Sequence, residues 1–349
     1  MMKSNPKNHP ISEWLEVDPS QKIERLHASD RLLTHISHRA MSTDFVAILP
    51  TEDAKLIEIA IDALEELNQI EAALTVYQPE SEISQINRLA DKHAVKVSWS
   101  TFRLIQRALR WSDLTEGAFD ITAGPLVEAW GFLKRQGRKP NRQEIEDAKN
   151  RVGFQNIELD DARQTIAFRR PNMAINLGAI GKGFALDRIA GRFREQGINH
   201  FLLHGGNSSV IAGGDQDPGS GEGWAVGIAH PTKPKRRLAG LWLRDEALGT
   251  SGSGKQFFHH RGQRYGHVID PRSGYPSGDL QALTNISRSA TDADACATGM
   301  FVAGSEKTQS WADLDWFSPT IMIRQGHRQD ASEICSVGVV HWVDQPTSK

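Results

Sequence analysis

Cysteine is scarce in this chain: Cys296 and Cys335 are the only two in 349 residues. That excludes a disulfide framework and allows at most one bridge. Cys296 sits in a segment read below as a helix, where a small buried thiol packs as a hydrophobe. Long apolar runs are also missing, and nothing approaches the ~18 residues of a membrane-spanning helix. Neither sign of charge dominates. The 41 basic and 43 acidic residues give a formal net charge of -2, spread along the length. No basic stripe argues for nucleic acid, and no acidic tail argues for a solvating role. Residues 1–10 are polar with no apolar region behind them, and no cysteine near the start could take a lipid. A soluble, cytoplasmic protein is expected.

What is present is enough apolar content, 39%, to bury a substantial core in one large domain. Residues 1–30 lack sustained periodicity, so 1–35 is expected to be a loosely held extension ahead of a single domain, 36–349. Thr43–Leu49 reads as a strand. A long helix follows, with Leu56, Ile59, Ala63, Leu67 and Ile70 on one stripe. Ser81–Asn87 is a short turn or helix, and 101–115 a second long helix. Gly117–Val127 is dense in breakers, as a functional loop leading into a short helix would be. Residues 133–150 read as a solvent-facing loop and helix, and 155–168 as a hairpin turning near Asp160–Asp161. After a helix carrying Phe184, Leu186, Ile189 and Phe193, strands are expected at 200–204, 207–212, 224–229, 238–243 and 264–269. A helix at 290–303 and strands near 319–324 and 335–342 complete the pattern. Strand runs with separate helices favour an α+β fold over a doubly wound sheet.

Four segments could carry chemistry. Asn176–Gly183 has three glycines opening a helix, which lets backbone N–H groups approach an anion, with Lys182 beside them. Its spacing is neither a Walker motif nor a dinucleotide fingerprint. Thr250–Gly254 is a small-polar cluster that reads equally as a phosphate or ribose contact and as a hairpin loop, and Gly205–Ser208 reads as a bend. His267, just before Asp270-Pro271, is one of 13 histidines. With His259 and His260 nearby, zinc has to be considered, but no acidic or cysteine partner stands at zinc-site spacing. A general base titrating near neutrality fits better. Asp294 and Thr298 lie four apart, on one helix face, where both oxygens can reach a hard cation such as Mg²⁺.

Taken together and in order, these segments resemble the ApbE family of FAD:protein FMN transferases over about residues 36–304. Ala40–Thr43 resembles the family's opening Met-Gly-Thr block. Leu74–Pro79 and Ser81–Asn87 resemble its Tyr-x-Pro-x-Ser-Glu-Ile-Ser block. Gly117–Asp120, Gly124–Val127 and Trp130–Phe132 match a third block, and Asn176–Asp187 and Gly266–Gly274 resemble two more.

The resemblance implies a T-fold-related α+β domain with mixed or antiparallel sheets and flanking helices. It implies that FAD, with Mg²⁺ on its diphosphate, donates FMN to a Thr or Ser hydroxyl of a target flavoprotein and releases AMP. Carried over by position, Met41, Tyr77, Ala118, Phe119, Asp120, Asn176, Lys182, Val268 and Ile269 would contact FAD. Ala179 through its carbonyl, with Asp294 and Thr298, would hold the metal, and His267 would be the base. The chain departs from the pattern in four places. Asn176 replaces an aspartate, Ser42 a glycine and Gly266 a serine, and Thr291 stands where relatives often carry another acidic metal ligand, with Asp292 as a stand-in only if the helix register shifts. An FAD pyrophosphatase and a flavin-binding module without turnover are the alternative readings.

Overall fold

A nine-stranded, wholly antiparallel sheet forms the spine of the molecule. In spatial order its strands are Leu15–Val17, Ser332–Val337, Thr320–Gln325, Ala282–Ser287, Ala247–Gly252, Ser209–Gly213, Phe201–Gly205, Thr43–Leu49 and Thr34–Ala40. This is a computed structural model, and it describes residues 15–17, 32–133, 136–233, 235–254, 256–327 and 331–344.

Eight α-helices occur among the described residues: α1 (Ala54–Leu74), α2 (Glu82–Leu89), α3 (Trp99–Leu114), α4 (Gly124–Ala129), α5 (Arg142–Lys149), α6 (Gly181–Glu195), α7 (Ala290–Ala303) and α8 (Ser305–Ser310). None is long and apolar enough to cross a membrane. Side chains start most of them where helix-end donors need acceptors. Asp53, Ser81, Ser98 and Ser289 accept from the first turns of α1, α2, α3 and α7. Asn141 and Glu144 form a reciprocal capping box on α5.

The helices α1, α3, α6 and α7 bury one face of the sheet in the main core, around Phe45, Leu203, Ile211 and Met322. The opposite face packs on a three-stranded sheet, ordered Trp342–Asp344, Arg237–Leu243, Trp224–Ala229, through a second cluster with Leu202, Val210, Leu248 and Ile323. A small sheet of Val95–Lys96, Thr165–Phe168 and Ile157–Asp160 and the hairpin Phe257–His260/Gln263–Gly266 complete the fold.

Double coverage explains the strands that the periodicity did not announce. Thr43–Leu49 alternates, with Phe45, Ala47 and Leu49 inward. Ser209–Gly213 is buried at all five positions and Ala282–Ser287 at its first five, so neither face shows a polar beat. Ala282–Ser287 and α8 were not expected. The Thr250–Gly254 cluster is corrected as well: Thr250–Gly252 belongs to a central strand, not to a loop. Within the expected extension, Leu15–Val17 pairs with Ser332–Ile334 as an edge strand; the rest of 1–31 lies outside the described residues.

One packing contact places everything else. A Cβ built on Gly183 in α6 would stand 2.0 Å from the Ala290 carbonyl oxygen, and one on Gly249 would stand 2.4 Å from the Ala293 carbonyl carbon. The backbone of α7 therefore lies directly on α6 and on the central strand. Gly191, later in α6, has open space around it. Gly249→Ala is expected to cost about 1–3 kcal/mol through overpacking, lowering the melting temperature by several degrees. Gly191→Ala, in a helix interior, is expected to be neutral or to stabilise by up to ~1 kcal/mol. Equal melting temperatures for the two variants would refute the contact.

Candidate active site

The close approach of α6 and α7 brings a carboxylate to the wall of a cavity of about 990 Å³. That volume is at the upper end of the ~300–1,000 Å³ of small-molecule sites. Asp294, in the second turn of α7, is buried. Its Oδ2 accepts the Gly183 N–H at 2.8 Å, and the fully buried Ser209 hydroxyl lies 2.7 and 3.0 Å from its two oxygens. Burial pushes this carboxyl up, while the Lys182 ammonium, the Ser209 hydroxyl and the Gly183 N–H oppose the rise.

One turn on, the Thr298 hydroxyl donates to the Asp294 carbonyl at 3.1 Å. Its proton is committed, so its lone pairs are what it offers the cavity. Ala179, in the turn before α6, lines the same space with Lys182. No cluster of three His, Cys, Asp or Glu side chains that could hold a metal occurs among the described residues. A cation here would be held by one carboxylate, one hydroxyl and one carbonyl, completed by substrate oxygens and water. These are hard oxygen donors, and the set fits Mg²⁺.

His267 lines the cavity just after the 257–266 hairpin. Its Nδ1 is 3.2 Å from the Gln256 carbonyl oxygen. A carbonyl only accepts, so Nδ1 carries the hydrogen and Nε2 keeps a lone pair. Burial pushes the imidazole below its usual value, with the Gln256 bond opposing. Burial therefore favours the neutral ring.

Asp120 also lines the cavity. It accepts the Thr122 N–H and hydroxyl at 2.7 and 2.6 Å and the Phe154 N–H at 3.1 Å, which pins the loop between α3 and α4. Burial raises its carboxyl against those bonds. Asn176 accepts the Gly178 N–H at 2.8 Å, shaping the turn into α6. Ala118, Phe119, Val268 and Ile269 contribute the apolar lining beside them.

Two of the expected FAD contacts are not in this lining. Tyr77 is 79% exposed. Its loop between α1 and α2 is tied to itself by bonds to Thr75. Met41 sits at positive φ in the two-residue turn joining Thr34–Ala40 to Thr43–Leu49, beside the cavity and not in its lining. Asp292, the conditional stand-in, is not in this lining. It is held by Arg107 at 2.5–2.6 Å and by the Trp111 indole at 2.7 Å on the other side of α7.

A profile of the ApbE family matches residues 35–317. The chain belongs to the ApbE family. It is 30% identical over 275 residues to a Vibrio cholerae FAD:protein FMN transferase, covering 78% of this chain and 80% of that one. A Klebsiella pneumoniae protein of the same name is 33% identical over 244 residues, covering 69% and 74%. Among solved structures, the ApbE protein of Thermotoga maritima superposes with a TM-score of 0.74 at 27% identity, over 89% of this chain and 97% of that one. The flavin transferase ApbE of V. cholerae gives 0.74 at 26% identity, over 87% and 97%.

Two residues on which this geometry depends were not among the expected site residues: Ser209, outside the motif blocks, and Asp187, which closes one of them. Ser209 aims Asp294. Asp187 accepts from the Ser289 hydroxyl, the Ala290 and Thr291 N–H groups and the Thr291 hydroxyl, at 2.5–3.0 Å, and so clamps the start of α7. A serine opening an apolar strand gives no sequence signal, because its role depends on a helix some eighty residues away. Outer-shell partners of a ligand are worth about 10- to 100-fold in metal affinity. Ser209→Ala is expected to weaken Mg²⁺ binding by about that factor, read as a shift of the MgCl₂ titration of the melting temperature. An unchanged titration would show that Ser209 does not orient Asp294.

Proposed function

We propose that this chain is an FAD:protein FMN transferase, dependent on Mg²⁺, that moves FMN from FAD to a Ser or Thr hydroxyl of a target flavoprotein and releases AMP. The observation that carries the proposal is a single cavity lined by a neutral imidazole, His267, and by an oxygen-donor set, Asp294, Thr298 and Ala179, with Lys182 in the same lining.

An alcohol is a poor nucleophile until a positioned base takes its proton. The acceptor hydroxyl gives its proton to Nε2 of His267 as its oxygen forms a bond to the phosphorus of the FMN half. The bond from that phosphorus to the bridging oxygen breaks, and AMP leaves with the oxygen and the electron pair. A bound Mg²⁺ would neutralise charge on the diphosphate oxygens and on the leaving AMP. Lys182 adds fixed positive charge at the same place, and Ala118, Phe119, Val268 and Ile269 give the flavin dinucleotide an apolar wall.

The test is mass spectrometry of a candidate acceptor incubated with the protein, FAD and MgCl₂. Gain of FMN mass on a Thr or Ser, with AMP released, supports transfer. AMP with free FMN would mean hydrolysis instead, and intact bound FAD with no product would mean a binding module.

His267→Ala is expected to keep FAD binding, measured by flavin fluorescence, while transfer falls by about 10²–10⁴-fold, the usual contribution of general-base catalysis. Unchanged turnover would remove His267 from the mechanism. The pH dependence follows from the lowered imidazole value. The working form is neutral, and burial keeps it neutral below the ordinary value of about 6.5. kcat/KM is therefore expected to hold as pH falls to about 6.5 and to drop only below it. A midpoint well above pH 7 would contradict the burial argument.

A further inference from the structure

The cavity continues beyond the residues used so far, between the large sheet and the strand Trp224–Ala229. That strand is the edge of the three-stranded sheet, with Arg237–Leu243 its one neighbour among the described residues. Residues 225–231 line the cavity without a break. Successive side chains of a strand point to opposite faces, so an unbroken run borders a space along the strand's edge. The cavity is thus flanked by a row of backbone N–H and C=O groups that no other strand of the sheet pairs, which is a template for a further strand.

The opposite wall is built to match. Leu202, Val210, Leu248 and Ile323 make it apolar. Among the described residues, three buried side-chain atoms lack a hydrogen-bond partner: His204 Nδ1, Gln281 Oε1 and Arg264 Nε. His204 and Gln281 line this cavity. Arg264 is joined to Gln281 through Ser253, whose carbonyl takes the Arg264 guanidinium at 2.6 Å and whose N–H donates to the Gln281 carbonyl at 3.2 Å. Buried orphans of this kind call for an explanation. Gln281 Oε1 needs a donor, which the N–H of a peptide in the cavity supplies; Arg264 lies outside the lining, behind Gln281.

The track leads to the base. A Cβ on Gly254 would meet the Pro231 carbonyl oxygen at 2.1 Å, so the end of the edge strand abuts the 253–256 loop, and the Gln256 carbonyl in that loop holds His267.

We infer that the open edge of Trp224–Ala229 receives an extended segment of the acceptor protein, which adds as a fourth strand of the small sheet and delivers its Ser or Thr to His267. This rests on the transferase activity proposed above. Main-chain bonds give such recognition its affinity and the flanking pockets give selectivity.

The probe is a library of synthetic peptides of about nine residues, each with a central Thr and varied flanks, incubated with the full chain, FAD and MgCl₂. FMN transfer is read by flavin fluorescence. The best acceptor is then examined by hydrogen–deuterium exchange and compared with a twin N-methylated at alternate backbone nitrogens. Protection of amides in 224–231 by the peptide, beyond that given by FAD and MgCl₂, is expected. The twin should lose about 10- to 100-fold in kcat/KM, from two or three lost hydrogen bonds. Protection of 224–231 by FAD alone, peptide transfer without protection there, or equal transfer to the methylated twin would each overturn the inference. So would modification of intact protein acceptors with none of any peptide. FAD binding with no transfer to peptides or proteins would instead overturn the proposed function.

Discussion

The backbone of α7 rests on two glycines, Gly183 in α6 and Gly249 in the central strand, at separations no side chain could share. This contact fixes the direction of every polar group in the first turns of the helix. With α7 held there, the Gly183 N–H faces the Asp294 carboxylate at hydrogen-bond distance, and Ser209, two strands over from Thr43–Leu49, comes up beneath it. Asp187, one turn along α6 from Gly183, meets the exposed N–H groups at the start of α7, where the helix end favours negative charge. The two helices are thus locked by backbone contact and by a charge-assisted clamp at the same place.

Three aspartates crowd this region, and their partners sort them into different tasks. Asp187 spends its oxygens on the start of α7. Asp292 spends its own on Arg107 and Trp111, outside the cavity. Asp294 alone combines burial with a place on the cavity wall, and its neutral hydroxyl and N–H partners leave its charge uncompensated apart from Lys182. Removing water from a carboxylate raises its energy unless charge or hydrogen bonds replace the solvent. A cation bound at the wall would supply that missing compensation, which is why, of the three, Asp294 is the one proposed as a ligand.

Much of this was legible in the chain because local rules wrote it. Helix α7 has the expected bounds, and the 157–168 hairpin turns where the acidic pair predicts. The Gly-Lys-Gly segment does open a helix, and the spacing of Asp294 and Thr298 does put both on the cavity wall. What was not legible depends on distant partners. Ala247–Gly252 is small and polar because α7 presses on it, and its composition imitates a loop. Ala282–Ser287 is covered on both faces and shows no alternation. Tyr77 and Met41 carry the family's motif positions, and neither is in the lining of the cavity.

The departures from the family pattern can be judged by what each residue does here. Asn176 serves as a hydrogen-bond acceptor for the Gly178 N–H, a task an amide oxygen performs as a carboxylate oxygen would. The lost charge therefore leaves the turn into α6 intact. Thr291 gives its hydroxyl proton to Asp187; an acidic side chain at that position would set two carboxylates against each other at the helix start unless a cation lay between them. Ser42 is different. With Met41 it forms a turn in which both residues have positive φ, a geometry that favours glycine and costs other residues of order 1–3 kcal/mol each. The turn abuts the next hairpin, where a Cβ on Gly206 would strike the Thr43 hydroxyl, and Asn207 and Ser208 of that hairpin line the cavity. The strained turn therefore adjoins a hairpin of the cavity wall, with the Met41 side chain outside the lining.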